Sequence, residues 1–137
     1  MPNTIRRVDY FYAAVDDRPG EAHKLLSQLA ALGVNLVAFT GIPVGPMRTQ
    51  FTLFPEDTHK MTLAAKQANL RLDGPHPALL VQGDDEMGAL VSVHERLYQA
   101  GVNVFASSGV AGGRGSYGYV LYVRPEQYER AVATLEL

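Results

Sequence analysis

Residues 16–38 read DDRPGEAHKLLSQLAALGVNLVA, and residues 84–106 read DDEMGALVSVHERLYQAGVNVFA. Both stretches open on paired aspartates, carry apolar residues at helical spacing, and leave the helix through Gly-Val-Asn. In the first, Ala22, Leu25, Leu26, Leu29 and Leu32 recur at intervals of three and four, which places them on one helical face. Gly33 stands where a helix closes in a left-handed residue. In the second, Leu90, Val93 and Leu97 hold the apolar face, and Gly101 stands at the exit.

Asn35 and Asn103 are 68 residues apart, and the same offset extends the match. Asp16 and Asp17 fall on Asp84 and Asp85, Gly20 on Gly88, Leu29 on Leu97, and Leu53 on Leu121. The coincidences fall on turn glycines and apolar positions, where a fold constrains sequence most. The chain therefore reads as two copies of one supersecondary unit.

Reading outward from the repeat gives the element order. Residues 8–15 form a strand rich in aromatic and β-branched residues. Acids, Pro19 and Glu21 start the helix. Residues 36–40 form a second strand, GIPVGP a turn, and residues 48–54 a third strand. A helix over 58–68 follows, with a short strand over 70–72. The second copy has a strand over 78–82, a helix over 86–100, strands over 104–110 and 117–123 joined by AGGRGS, and a helix from Pro125. Its fourth strand is missing or reduced to the last residues. The order βαββαβ is that of a ferredoxin-like unit, so the fold class is α+β: two such units in tandem, with antiparallel sheets and helices on one face. The boundaries expected are 1–74 and 75–137, joined at the turn-rich LDGPHP of residues 72–77. Tyr10, Tyr12, Tyr117 and Tyr119 alternate along strands, too aromatic for freely solvated faces. Sheets or edges are expected to pair, between units or between two chains.

The bulk numbers bound the function. At 137 residues, 47% hydrophobic and 19% charged, the chain has the composition of an ordinary globular protein. A formal charge of −2 and the absence of any Lys/Arg run give no case for nucleic acid. No window reaches the apolar length of a membrane span, and the opening MPNTIRRVDYFY has no signal-peptide core. A cytoplasmic location is expected. There is no cysteine, hence no disulfide and no thiolate chemistry. His23, His59, His76 and His94 lack ligand spacing on one element, so no metal is expected. The serines show no nucleophile motif. GRGSYG at residues 113–118 matches the dinucleotide glycine pattern, but a strand follows it instead of a helix, so it reads as a glycine hairpin. No cofactor is implied.

Laid out in this way, residues 5–135 resemble a tandem of ACT domains, small βαββαβ regulatory modules that bind amino acids and similar effectors. The acid-Arg-Pro-Gly entry, leucine-rich helix and Gly-Val-Asn exit of the first copy carry the resemblance. The second copy keeps the acid, the glycine and Gly-Val-Asn but lacks Arg-Pro. The resemblance implies a non-catalytic regulatory protein, a homodimer that acts on a protein partner. It also implies an effector, an amino acid, held between paired units at the loop joining first strand to first helix. By motif position the implied ligand-binding residues are Asp17, Arg18, Gly20 and Asn35 in the first copy, and Asp85, Gly88 and Asn103 in the second. Serine-regulated phosphoglycerate dehydrogenases use such polar residues to hold their effector, with Asn where Asp17 stands.

The chemistry suits a zwitterion. A helix N-terminus offers backbone N–H groups to a carboxylate. Asp17 or Asp85 can pair with an ammonium, and Asn35 or Asn103 can serve either end. In both copies Asp and Asn are 18 residues apart. Structural readings stand beside these: each Asp can simply cap its helix, and each Asn can be held by local backbone bonds. An enzyme of the dimeric α+β barrel type, with His23, His94 and the tyrosines around a cavity between sheet and helices, is the alternative function. A protein-interaction adaptor without ligand is another.

Overall fold

A computed structural model describes residues 4–137. The two Gly-Val-Asn segments close their helices identically. Gly33 has φ +79° and Gly101 φ +73°, a region in which a side chain is strained. The Gly33 amide donates to Ala30 (3.0 Å) and the Val34 amide to Leu29 (2.9 Å). Gly101 donates to Tyr98 (3.0 Å) and Val102 to Leu97 (2.9 Å). Each pair of bonds is a Schellman closure that satisfies carbonyls left free by the last turn, and each valine is buried against its core.

The elements run β1 (Thr4–Asp16), α1 (Glu21–Ala31), β2 (Leu36–Pro43), β3 (Arg48–Pro55), α2 (Thr58–Ala68), β4 (Asp73–Asp84), α3 (Val91–Gln99), β5 (Val104–Ala111), β6 (Ser116–Val123) and α4 (Pro125–Thr134). They form two βαββαβ units. The first spans Asp9–His76, and the second joins Pro77–Leu137 to residues 4–8.

In the first unit the strand order is residues 73–76 of β4, then β1, β3 and β2. β1 pairs antiparallel with β3, placing Phe11 opposite Leu53 and Ala13 opposite Phe51. Because side chains alternate along a strand, these residues share one face. There they meet Leu25 and Leu29 of α1 and Met61 and Ala64 of α2 in an apolar core. Tyr10, Tyr12, Phe54 and His76 cluster instead around Tyr10, with ring centroids 5.2–5.3 Å from it.

In the second unit the order is residues 4–8 of β1, then β4, β6 and β5. Leu79 lies opposite Leu121 and Val81 opposite Tyr119. These pack with Val93, Leu97, Ala131 and Val132 of the helices. Tyr117 and Tyr119 belong to this helix-side core, so their alternation marks a packed face and not an uncovered one.

Several expectations change. The 1–74/75–137 cut does not coincide with the compact units. LDGPHP does not form a turn between units; residues 73–77 are already part of strand β4. A side chain at Gly74 would put its Cβ 2.7 Å from the Tyr10 carbonyl oxygen, so glycine there lets β4 lie against β1. Leu70 and Leu72 pack against the core, and the strand begins only after them. The fourth strand of the second unit comes from residues 4–8, where Ile5 packs on the core and Arg7 lies over the Tyr128 ring. Helix α3 starts at Val91, later than residue 86. Gly88, at φ +72°, turns the chain first, with Ala89 bonding Glu86 and Val91 bonding Gly88.

Candidate functional site

The turn between β1 and α1 in the first unit is occupied by its own charges. Arg48 Nη1 donates to Asp16 Oδ1 at 2.6 Å. Arg18 lies 3.3 Å from Glu21 and 3.5 Å from Asp16. Asp17 donates its amide to Met47 O at 2.9 Å. Gly20, at φ +91°, occupies the N-cap position of α1, and no side chain caps the helix. Asp17 therefore is not a helix cap. The side-chain cap in this unit is on α2, where the Lys60 amide donates to Asp57 at 3.1 Å.

Asn35 sits at the other end of α1. Its Nδ2 donates to Glu56 Oε2 at 3.4 Å, and its carbonyl accepts from the Glu56 amide at 2.8 Å. The neighbour of Asp17 precedes β3, whereas that of Asn35 follows β3. At ~3.3 Å per residue, that strand separates them by about 25 Å. The first unit brings Asp17, Arg18 and Gly20 together and leaves Asn35 apart.

The second unit repeats this division. The Asp85 amide donates to Gly115 O at 2.9 Å. Asn103 donates its amide to Gln127 Oε1 at 3.1 Å, and Gln127 Nε2 donates to Gly101 O at 3.1 Å. Asn103 thus lies where β5 begins against α4. Asp85 and Gly88 lie at the opposite end, in the turn before α3.

That turn borders a cavity of about 480 Å3, within the range of roughly 300–1,000 Å3 typical of small-ligand sites. Asp85, Glu86 and Gly88 form its rim. Leu90 and Val91 bring the start of α3, Gly109 and Val110 come from β5, and Tyr117 and Tyr119 from β6. No Lys, Arg or His side chain lines it. The Tyr117 phenol is pushed above its ordinary value of 10.0, first by burial and then by the carboxylates of Glu86 and Asp84, because both disfavour a phenolate. Tyr119 is held from outside, with its hydroxyl 2.7 Å from His94 Nε2. A Cβ at Gly109 would lie 2.7 Å from Tyr119 Cδ1, so the bare backbone makes room for that ring. The arrangement can accept a carboxylate on the first turn of α3 and an ammonium at the acidic rim, with an apolar group against the tyrosines.

No protein-family model and no curated protein matches the sequence. Solved structures do match the fold. Protein BT0572 from Bacteroides thetaiotaomicron superposes with a TM-score of 0.78 at 15% identity, over 98% of this chain and 88% of that one. The ligand-free regulatory subunit of aspartate kinase from Thermus thermophilus gives 0.64 at 14% identity, over 99% and 95%. Its Thermus flavus counterpart gives 0.60 at 14%, also over 99% and 95%. The fold is that of a tandem ACT protein.

In ACT terms, the cavity lies at the first strand–first helix loop of the second unit. Sequence reasoning reached Asp85 and Gly88 but missed Glu86, Gly109, Tyr117 and Tyr119. A signal for two of them was present: the 68-residue offset puts Gly41 on Gly109 and Phe51 on Tyr119. In the first ACT unit a Cβ at Gly41 would likewise lie 3.0 Å from the Phe51 ring. The glycine–aromatic contact is therefore a feature of both ACT units, and the tyrosine is particular to the second. His23 and His94 are exposed on helices, and both cores are apolar. Among the described residues no His/Cys/Asp/Glu group is arranged to hold a metal, and no helix is long and apolar enough to cross a membrane.

Proposed function

We propose that this chain is a non-catalytic regulatory module whose second ACT unit binds an amino acid in the cavity before α3. The observation that carries the reading is the convergence of Asp85, Glu86, Tyr117, Tyr119 and the α3 N-terminus on one cavity. The carboxylate of the ligand meets the positive N-terminal end of the α3 dipole. Its ammonium meets Asp85 and Glu86. Its side chain packs on Tyr117, Tyr119 and Val110. The regulatory subunits among the structural neighbours support the regulatory half of this reading.

The first-unit loop is a weaker site in this reading, because Arg18 and Arg48 already neutralise its acids. One effector per chain is expected. Regulation passes to a partner or a second copy, and the effector shifts the paired arrangement only by its differential affinity for the two states. A second copy is supported by the unit-edge strands β2 (LVAFTGIP) and β5 (VFASSGVA), which carry no charge to block strand addition.

Calorimetric titration with the twenty common amino acids tests the proposal. Saturable binding of at least one, near one site per chain, is expected. Asp85→Asn should weaken it at least tenfold, and Asn103→Ala should leave it unchanged. Binding indifferent to Asp85 and Tyr117 substitutions would overturn the site. Light scattering checks the pairing of copies.

A further inference from the structure

The sheet face of the first unit opposite its helix-side core holds a second groove, separate from the cavity assigned above. Its volume is about 710 Å3, and it is lined by Tyr12, Ala14, Arg48, Gln50 and residues 70–73. The floor follows from strand register. Ala14 lies opposite Gln50, and Tyr12 and Asp16 flank Ala14 on the same face. The small Ala14 side chain leaves a gap between its larger neighbours. The wall is the segment after α2. Leu70 and Leu72 pack into the core, and Arg71, between them, lines the groove.

The polar groups here are poorly matched to one another. Arg48 uses one nitrogen on Asp16, which leaves most of its five donors free. Arg71 forms no ion pair among the described residues. The Tyr12 hydroxyl and the Gln50 amide have no protein hydrogen-bond partner there. Asp73 is the one acid lining the groove, and it stands 3.2 Å from His76 Nε2. Two guanidinium groups, a phenol and an amide thus border a space whose one carboxylate, Asp73, stands against His76.

We propose that this groove is a binding site for a small organic oxyanion, a carboxylate or phosphate ester. The anion is held by Arg71 and the free donors of Arg48, and its organic body rests on Tyr12 and Ala14. Guanidinium groups bind such anions through paired N–H donors. The linings distinguish the two sites: the second-unit cavity carries acids and no guanidinium, and this groove carries two guanidinium groups and one carboxylate.

Amide NMR titration of the full chain with phenyl phosphate, benzoate and inorganic phosphate tests the proposal. Saturable shifts at Tyr12, Ala14, Gln50 and Arg71 are expected from at least one organic probe. Arg71→Gln should weaken binding at least tenfold and Tyr12→Phe about threefold, with Asp85→Asn without effect. Arg71 is exposed, so its variant should fold, and its thermal melt confirms that. Tighter binding of phenyl phosphate assigns a phosphate ligand, and tighter binding of benzoate a carboxylate. No saturable shift from any probe, or affinity unchanged in Arg71→Gln, overturns the site.

Discussion

His94 on α3 and Tyr119 on β6 are joined through Nε2 and the phenolic oxygen at 2.7 Å. The contact ties the helix that opens the candidate site to the strand that forms its floor. A net hydrogen bond of this kind contributes about 0.5–1.5 kcal/mol. Tyr119→Phe should lower unfolding stability by that amount, and His94→Ala should add little once Tyr119 is gone. A double-mutant cycle from urea unfolding measures the coupling, and additive effects would refute it.

Gly109 is required by space. Its replacement by Ala would set a Cβ 2.7 Å from the Tyr119 ring and 3.3 Å from the Gly118 carbonyl oxygen. Overpacking of this kind costs about 1–3 kcal/mol. Gly113→Ala, in the β5–β6 hairpin, meets nothing within 4 Å and should be close to neutral. Equal melting temperatures for the two variants would contradict this account.

Residues 4–8 complete the second unit. Ile5 is half-buried against its core, so Ile5→Ala should cost about 1–2 kcal/mol, below the ~2–5 kcal/mol of fully buried sites. Arg7 pairs with Glu129 at 3.1 Å on the exposed surface, and Arg7→Ala should cost under about 1 kcal/mol. Hydrogen exchange of a chain lacking residues 1–8 should show protection lost first in β4 of the second unit.

Tyr117 makes stability depend on alkaline pH. Its folded pKa lies above the ordinary 10.0, so the folded state keeps the proton after the unfolded chain has lost it. The contribution is complete below about pH 10 and is lost as pH rises through the folded value. Relative to Tyr117→Phe, the native chain should hold a constant stability difference at neutral pH and lose ground above pH 10. Parallel profiles, measured by urea unfolding, would show that Tyr117 is not the group responsible.

Legibility in the sequence followed the range of the interactions. The helix exits were readable because a Schellman closure is local: Gly33-Val34 and Gly101-Val102 need only the preceding turn. The same holds for α2 and for the β5–β6 glycine hairpin. Glu86, Tyr117 and Tyr119 were not readable as a site, because a turn, a helix start and a β6 strand reach one cavity only through sheet pairing.

By itself, the sequence determined two βαββαβ units, since hydrophobic period, turn glycines and the 68-residue repeat are properties of short segments. Tertiary structure decided which segments complete each unit. Residues 4–8 are adjacent in sequence to the first unit, yet they belong to the second, where Ile5 packs against the core. Tertiary structure also separated what the sequence had paired. Asp and Asn stand 18 residues apart in each copy, but an intervening helix carries the Asn to the far end of the sheet. The same helix leaves Asp85 beside two tyrosines more than 30 residues further along the chain.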